Sequence, residues 1–245
     1  MGMARQSTRT AIPVLLTRPA AQSRSFAAAL EARLGALVRP VIAPLMAPVF
    51  LTPDLPDGPF AAVIFTSATA VKAVAGLDLP KRAWCVGGQT AARASAAGFQ
   101  AVSAEGDAAA LVAAVLADPP DGRLLHLRGE EVRGEVAEQL NSAGIETFSA
   151  VVYRQEPQAL SPEAAELLST DGGVIVPLFS PRSAVLLRQA LPAGMRATLR
   201  LVAMSDAVAE AAEGMPHEAL VVARRPDAEA MLEAVRRFAE MRRAP

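Results

Sequence analysis

Three arginines stand beside small hydroxylic or backbone-flexible residues where hydrophobic runs end: Thr17-Arg18-Pro19, Arg128-Gly129 and Ser180-Pro181-Arg182-Ser183. A guanidinium presents a planar fork of donors that matches a carboxylate or phosphate, and a Ser or Thr hydroxyl adds a further donor. Thr66-Ser67, Gly87-Gly88-Gln89-Thr90 and Ser205-Asp206 end similar apolar runs. Each corner has two readings. Ser, Thr and Asp are ordinary N-caps and Pro19 suits a first helical turn, so capping alone accounts for the hydroxyls. Anion binding at free N–H groups of a helix start accounts for them equally, and it also gives the arginines a task that capping does not. The chemistry on offer is recognition of several carboxylates or phosphates.

Other reactive constellations are missing from the sequence. His126 and His217 are the only histidines, and no HExxH or paired-cysteine spacing occurs, so no metal is expected. There is no phosphate-binding loop motif, and "VGGQTAA" lacks the glycine pattern of a dinucleotide site although Glu105 follows at a suitable distance; no cofactor is expected. Glu130 and Glu131 resemble paired acid/base carboxylates but open a helix, where acidic side chains favour the dipole. Arg236, Arg237, Arg242 and Arg243 close the final helix, again in favourable register. Tyr153 is the only tyrosine and lies in the extended segment "VVYRQEP". Its phenol either donates a proton to a bound ligand or covers a hinge.

The elements that must position these residues alternate. Short β-like runs ("IPVLLT", "AAVIFT", "AWCVG", "RLLHLR", "GVIVPLFS", "LRLVAM") are each followed by an Ala-rich helical run, which implies parallel sheets covered by helices. In such sheets ligands gather beyond the C-terminal strand ends, where the polar corners fall. The pattern also repeats. Arg18, Phe26 and Leu30 align with Arg128, Val136 and Leu140 at an offset of 110 residues; Phe65 aligns with Phe179 at 114 and Cys85 with Val202 at 117. The extended segments "VRPVIAPL" and "SAVVYRQE" set Ile42 against Tyr153. An internal duplication follows, and it leaves open whether the two domains are consecutive halves or exchange their first units.

Composition narrows the partners. With 24 basic and 25 acidic residues the net charge is -1, which gives no broad electrostatic footprint for nucleic acid or an anionic membrane. A single cysteine, Cys85, fits a reducing cytoplasm and a core position. The longest apolar stretch, "VIAPLMAPVFL", is well short of the roughly 20 residues that span a bilayer and contains prolines. Residues 1–10, with Arg5 and Arg9, read as a frayed lead-in rather than a signal peptide.

Taken in order, "LLTRP", "FTSATAV", "CVGGQTA", "LLHLRGEEVRGEVAEQLNSAGIE", "VVYRQEP" and "LFSPRSAV" resemble uroporphyrinogen-III synthase. The resemblance implies two flavodoxin-like parallel-sheet α/β domains joined by a two-stranded β ladder with a ligand cleft between them. One domain would comprise residues 1–39 and 156–245 and the other 44–150, with linkers at about 40–43 and 151–155 pairing as the ladder. It further implies cyclisation of hydroxymethylbilane to uroporphyrinogen III by a cofactor-free cytoplasmic lyase, with no nucleic-acid or membrane partner. A monomer that makes transient contact with the preceding pathway enzyme is expected. By position, Tyr153 matches the tyrosine that assists hydroxyl departure. Thr17, Arg18, Thr66, Ser67, Gly87, Thr90, Ser180 and Ser183 match substrate-lining positions, and Arg128 and Arg182 join the substrate-binding candidates through their donor forks. The chain departs from relatives at Met204 and Ala207, where many have Gly and Thr, and Ser205 is expected to substitute. The alternative from the residues alone is a non-enzymatic two-lobed binder of a small polycarboxylate.

Overall fold

The computed structural model describes residues 11–131 and 135–241; the lead-in 1–10 and the terminal Arg242 and Arg243 lie outside the described residues. The chain first forms β1 (Ile12–Leu16), α1 (Ala20–Leu34) and β2 (Val38–Ile42). The middle stretch forms β3 (Met46–Phe50), β4 (Ala62–Phe65), α2 (Ala68–Ala73), β5 (Arg82–Cys85), α3 (Gly88–Ala96), β6 (Gln100–Ser103), α4 (Ala108–Ala117), β7 (Leu124–Gly129), α5 (Val136–Ser142) and β8 (Thr147–Pro157). The last stretch forms α6 (Pro162–Ser169), β9 (Gly172–Leu178), α7 (Pro181–Ala190), β10 (Ala197–Ala203), α8 (Asp206–Ala211), β11 (Ala219–Val222) and α9 (Ala228–Met241). Among the described residues two compact units result, one from 11–47 with 157–241 and one from 48–156.

The first unit carries a five-stranded sheet in the order β11-β10-β9-β1-β2, parallel at every pairing. Its central strands are apolar on both faces because helices cover both. Along β9, Val174, Val176 and Leu178 enter one core while Ile175 enters the other; along β1, Leu15 faces the first and Val14 and Leu16 the second. This alternation is the two-residue period of a strand. On α1, Phe26, Ala27, Leu30 and Leu34 share the buried stripe that helical spacing produces.

The second unit has the order β3-β8-β7-β4-β5-β6, with parallel pairing from β8 through to β6. Here Val63, Phe65, Ala83, Cys85, Leu125 and Leu127 fill one face, and Ala62, Ile64, Trp84 and Leu124 the other. Cys85 is a core residue, and burial pushes its thiol up to about 11. Side-chain caps from Ser67, Asp107, Ser161 and Ser180 start α2, α4, α6 and α7.

The repeat maps strand onto strand. The order β2-β1-β9-β10-β11 of the first unit is matched, place for place, by β8-β7-β4-β5-β6 of the second. Arg18 and Arg128 therefore end equivalent strands, as do Phe179 and Phe65. Both are the flavodoxin-like order, entered by the chain at a different strand in the second unit.

The pairing expected between residues 40–43 and 151–155 is not among the strand pairings of the described residues. β2 instead pairs in parallel with β1, Leu16 opposite Ile42, because Val38 and Val41 bury their side chains in that unit's cores. The neighbour of β8 is β3, and Leu51 N donates to Val152 O just beyond it at 3.0 Å. Residues 40–42 are strand rather than linker, and 151–155 lie inside β8. Among the described residues no helix is long and apolar enough to cross a membrane.

Leu15 is fully buried at the centre of its sheet, whereas Phe50 on β3 is 51% exposed. Leu15→Ala should cost about 2–5 kcal/mol in denaturant unfolding, and Phe50→Ala about 0.5 kcal/mol or less.

Candidate functional site

In each sheet the strand order reverses at one place, between β1 and β9 in the first unit and between β7 and β4 in the second. Loops leaving adjacent strands at such a point run to opposite faces and open a crevice at the C-terminal edge. The sequence-predicted residues divide between these two edges.

In the first unit Thr17 and Arg18 follow β1, and Ser180 follows β9. The Arg18 guanidinium lies 4.1 Å from the centroid of the Phe179 ring, which meets Phe26 edge-on at 4.9 Å. Stacking gives the cation an attractive seat without neutralising it. Burial lowers its pKa from the ordinary value, though a guanidinium remains charged. Thr17 is only 1% exposed, and its Oγ1 has no hydrogen-bond partner among the described residues. Beside it, α1 starts at Pro19 with no side-chain cap and no acidic residue in its first turn. An unused hydroxyl, an uncapped start to a long helix and a seated cation meet at one strand end. That combination suits an anion.

The β9 corner sorts differently. Ser180 Oγ accepts from Ser183 N at 3.2 Å, while Ser183 Oγ accepts from Ser180 N at 3.2 Å and donates to Ser180 O at 2.8 Å. This is a reciprocal cap, and Ser183, 1% exposed, is occupied by it. Ser180 is less buried, and Arg182 lies in the first turn of α7. Ser205 is the N-cap position of the short α8 but makes no side-chain cap.

In the second unit Thr66 follows β4 and its Oγ1 lies 3.2 Å from His126 Nε2 on β7. His126 is 1% exposed, and burial, reinforced by the charge of Arg128, brings its imidazole down to about 4. It is neutral at neutral pH. Ser67 Oγ caps α2 by accepting from Thr69 N. Arg128 Nη1 donates to Gly129 O at 3.1 Å, which folds the side chain over its own loop. A polar cavity of about 290 Å³ lies here, lined among others by His126, Arg128, Glu135, Glu138 and Ser149.

Tyr153 comes to the same edge through a register shift in the β7–β8 pairing, which sets it opposite Gly129. Glu130 N donates to Tyr153 O at 2.9 Å. The phenol packs flush on Gly129, where an added Cβ would stand 2.6 Å from Cζ and 2.9 Å from the hydroxyl oxygen. A side chain at 129 and this placement of Tyr153 exclude each other. Gly87 and Thr90 belong to the start of α3, where Thr90 is buried and Gly87 is the extended N-cap residue. The Glu105 carboxylate already stands beside that start, within 3.3 Å of where a Gly88 Cβ would lie.

Thr17, Arg18 and Ser180 thus gather at one reversal point, and Thr66, Arg128 and Tyr153 at the other. Sequence reading missed Phe179 as the seat of Arg18 and His126 as the partner of Thr66. The signal for His126 was present: at the repeat offset it answers Leu16, so a polar ring replaces an aliphatic one in a buried strand.

Comparison with known proteins places the chain in a family. The family model for "Uroporphyrinogen-III synthase HemD" matches residues 24–233. The solved uroporphyrinogen-III synthetase of Helicobacter pylori is similar in fold, with a TM-score of 0.59 at 18% identity over 93% of this chain and 99% of that one. A mutant uroporphyrinogen III synthase from the extremely thermophilic bacterium Thermus thermophilus aligns at 18% identity over 95% of this chain and 100% of that one, with a TM-score of 0.44. No curated protein matches in sequence.

Gly129→Ala should displace the Tyr153 ring and cost roughly 1–3 kcal/mol by overpacking. Because Tyr153 is the only tyrosine, its ring resonances report the displacement directly. His126 also makes stability depend on pH. Its folded pKa of about 4 lies below the unfolded value near 6.5, so the unfolded chain takes up the proton first as pH falls. Stability attributable to His126 should therefore decline from about pH 6.5 to about pH 4, by roughly 3 kcal/mol at most. Unfolding of His126→Gln across that range should show a correspondingly shallower slope.

Proposed function

Because this chain belongs to the uroporphyrinogen-III synthase family, we propose that it closes hydroxymethylbilane into uroporphyrinogen III, inverting the last pyrrole, ring D, through a spiro intermediate. The observation that supports this reading most is the doubled corner: each unit ends the first strand of its reversal point with an arginine, Arg18 or Arg128, and faces it with a hydroxyl, Ser180 or Thr66. Every ring of the substrate carries an acetate and a propionate, and a flexible polyanion needs many donors to be held in one folded shape.

The chemistry asks little else of the protein. An electron-rich pyrrole expels the terminal hydroxyl, which leaves as water after taking a proton, and an azafulvenium cation remains. Tyr153, whose hydroxyl lies at the β7 corner, is the group we assign to that proton. Ring D attacks through its substituted carbon to form the spiro intermediate. That intermediate fragments and recloses at the opposite carbon of ring D, and loss of a ring proton restores the pyrrole. The enzyme's contribution is orientation, since unguided closure joins the unsubstituted end and yields the type I isomer. In this reading the protein is a lyase of tetrapyrrole biosynthesis needing neither metal nor cofactor. It acts as a cytoplasmic monomer, without nucleic-acid or membrane partners, and takes its labile substrate from the preceding enzyme by transient contact.

Purified protein with a chelator and hydroxymethylbilane alone should turn the product from type I to type III, read by chromatography after oxidation. Binding with the spontaneous isomer ratio would leave a two-lobed polycarboxylate binder instead. Tyr153→Phe should slow turnover by roughly tenfold or more yet leave activity measurable, because the leaving group departs with little help.

A further inference from the structure

We infer that His126 is a positioning residue: as the Nε2–H tautomer it donates to Thr66 Oγ1 and so aims the Thr66 hydrogen at a substrate carboxylate. The inference rests on the function proposed above and deepens it at one corner. β4 and β7 are adjacent, with Ile64 opposite His126, and Thr66 is the first residue beyond β4. The 3.2 Å contact joins the two strands across the reversal point.

A threonine hydroxyl has one hydrogen, and an ionised carboxylate only accepts. Were Nε2 the acceptor, Thr66 would spend its hydrogen on the ring and turn lone pairs toward the substrate. With Nε2–H as donor, the Thr66 oxygen accepts from the ring and its hydrogen is free to point outward. A second proton would add to Nδ1 and leave the Nε2–H bond to Thr66 in place, so the direction of this bond does not depend on the charge of the ring. Burial, with Arg128 on β7 adding repulsion, keeps the ring neutral; Glu135 and Glu138, at the start of and on α5, are the acids that line the same cavity. A buried strand that uses leucine in the equivalent place, at Leu16, has no packing reason to hold an imidazole here.

The test begins with the ligand-free protein. Two-bond proton–nitrogen correlation on ¹⁵N-labelled His217→Gln protein, which retains a single histidine, should give the Nε2–H pattern at pH 7. The Nδ1–H pattern would overturn the inference whatever the protein's activity. Binding of uroporphyrinogen III, measured anaerobically, supplies the second arm. His126→Leu should weaken it roughly tenfold, as for loss of one hydrogen bond to a charged group. His126→Gln, whose amide N–H can occupy the place of Nε2–H, should restore affinity to within about twofold. Combining His126→Leu with Thr66→Ala should be no worse than Thr66→Ala alone. Additive losses, or a glutamine variant as weak as the leucine one, would show His126 to be packing only. If product binding and the tautomer behave as expected while the isomer ratio stays spontaneous, the synthase reading fails and the His126–Thr66 arrangement stands.

Discussion

Burial of both faces of each parallel sheet is the constraint on which the rest depends. Val14, Leu15 and Leu16 on β1, like Val174, Ile175 and Val176 on β9, are buried, so these central strands offer no exposed face on which polar chemistry could sit. Recognition is therefore confined to strand ends, and it concentrates where strand order reverses, because only there do neighbouring loops part to opposite sides. Arg18 and Arg128 lie at those two points for the same topological reason, which is why one duplicated pattern places both.

The corners are alike in plan and different in detail. Arg18 is seated by an aromatic ring and keeps its donors uncommitted to any carboxylate among the described residues. Arg128 is turned onto the carbonyl of Gly129, and its corner is shaped instead by a neutral imidazole, a threonine hydroxyl and the phenol of Tyr153. In the proposed reaction this difference has a use: one unit would supply a plain anion grip, and the other the grip beside the proton donor. Ser183 serves the fold rather than the ligand, since its hydroxyl is taken up in the cap of α7.

Much of this was legible in the sequence because it depends on local pattern. The alternation of apolar runs and helices implied parallel sheets covered by helices, and the spacing of Arg18 to Arg128 and Phe65 to Phe179 marked equivalent places in the two units. The strand pairing of residues 38–42 was not legible, because "VRPVIAP" reads equally as linker or edge strand, and only Val38 and Val41 finding room in a core decides it. Nor was the Thr66–His126 contact, which joins residues 60 apart in sequence and exists only because β4 and β7 become neighbours. The register shift that brings Tyr153 onto Gly129 likewise arises from pairing rather than composition.

In the proposed function the arginine corners of both units bind carboxylates of one substrate and so set its geometry. The isomer ratio of product formed by Arg18→Ala, Arg128→Ala and the double variant measures this most directly, with each protein shown to be folded. The account expects each single substitution to lower the type III fraction and the double substitution to return it to that of the spontaneous reaction. A double variant that turns over more slowly but still yields type III alone would contradict it, since positioning would then not depend on these corners.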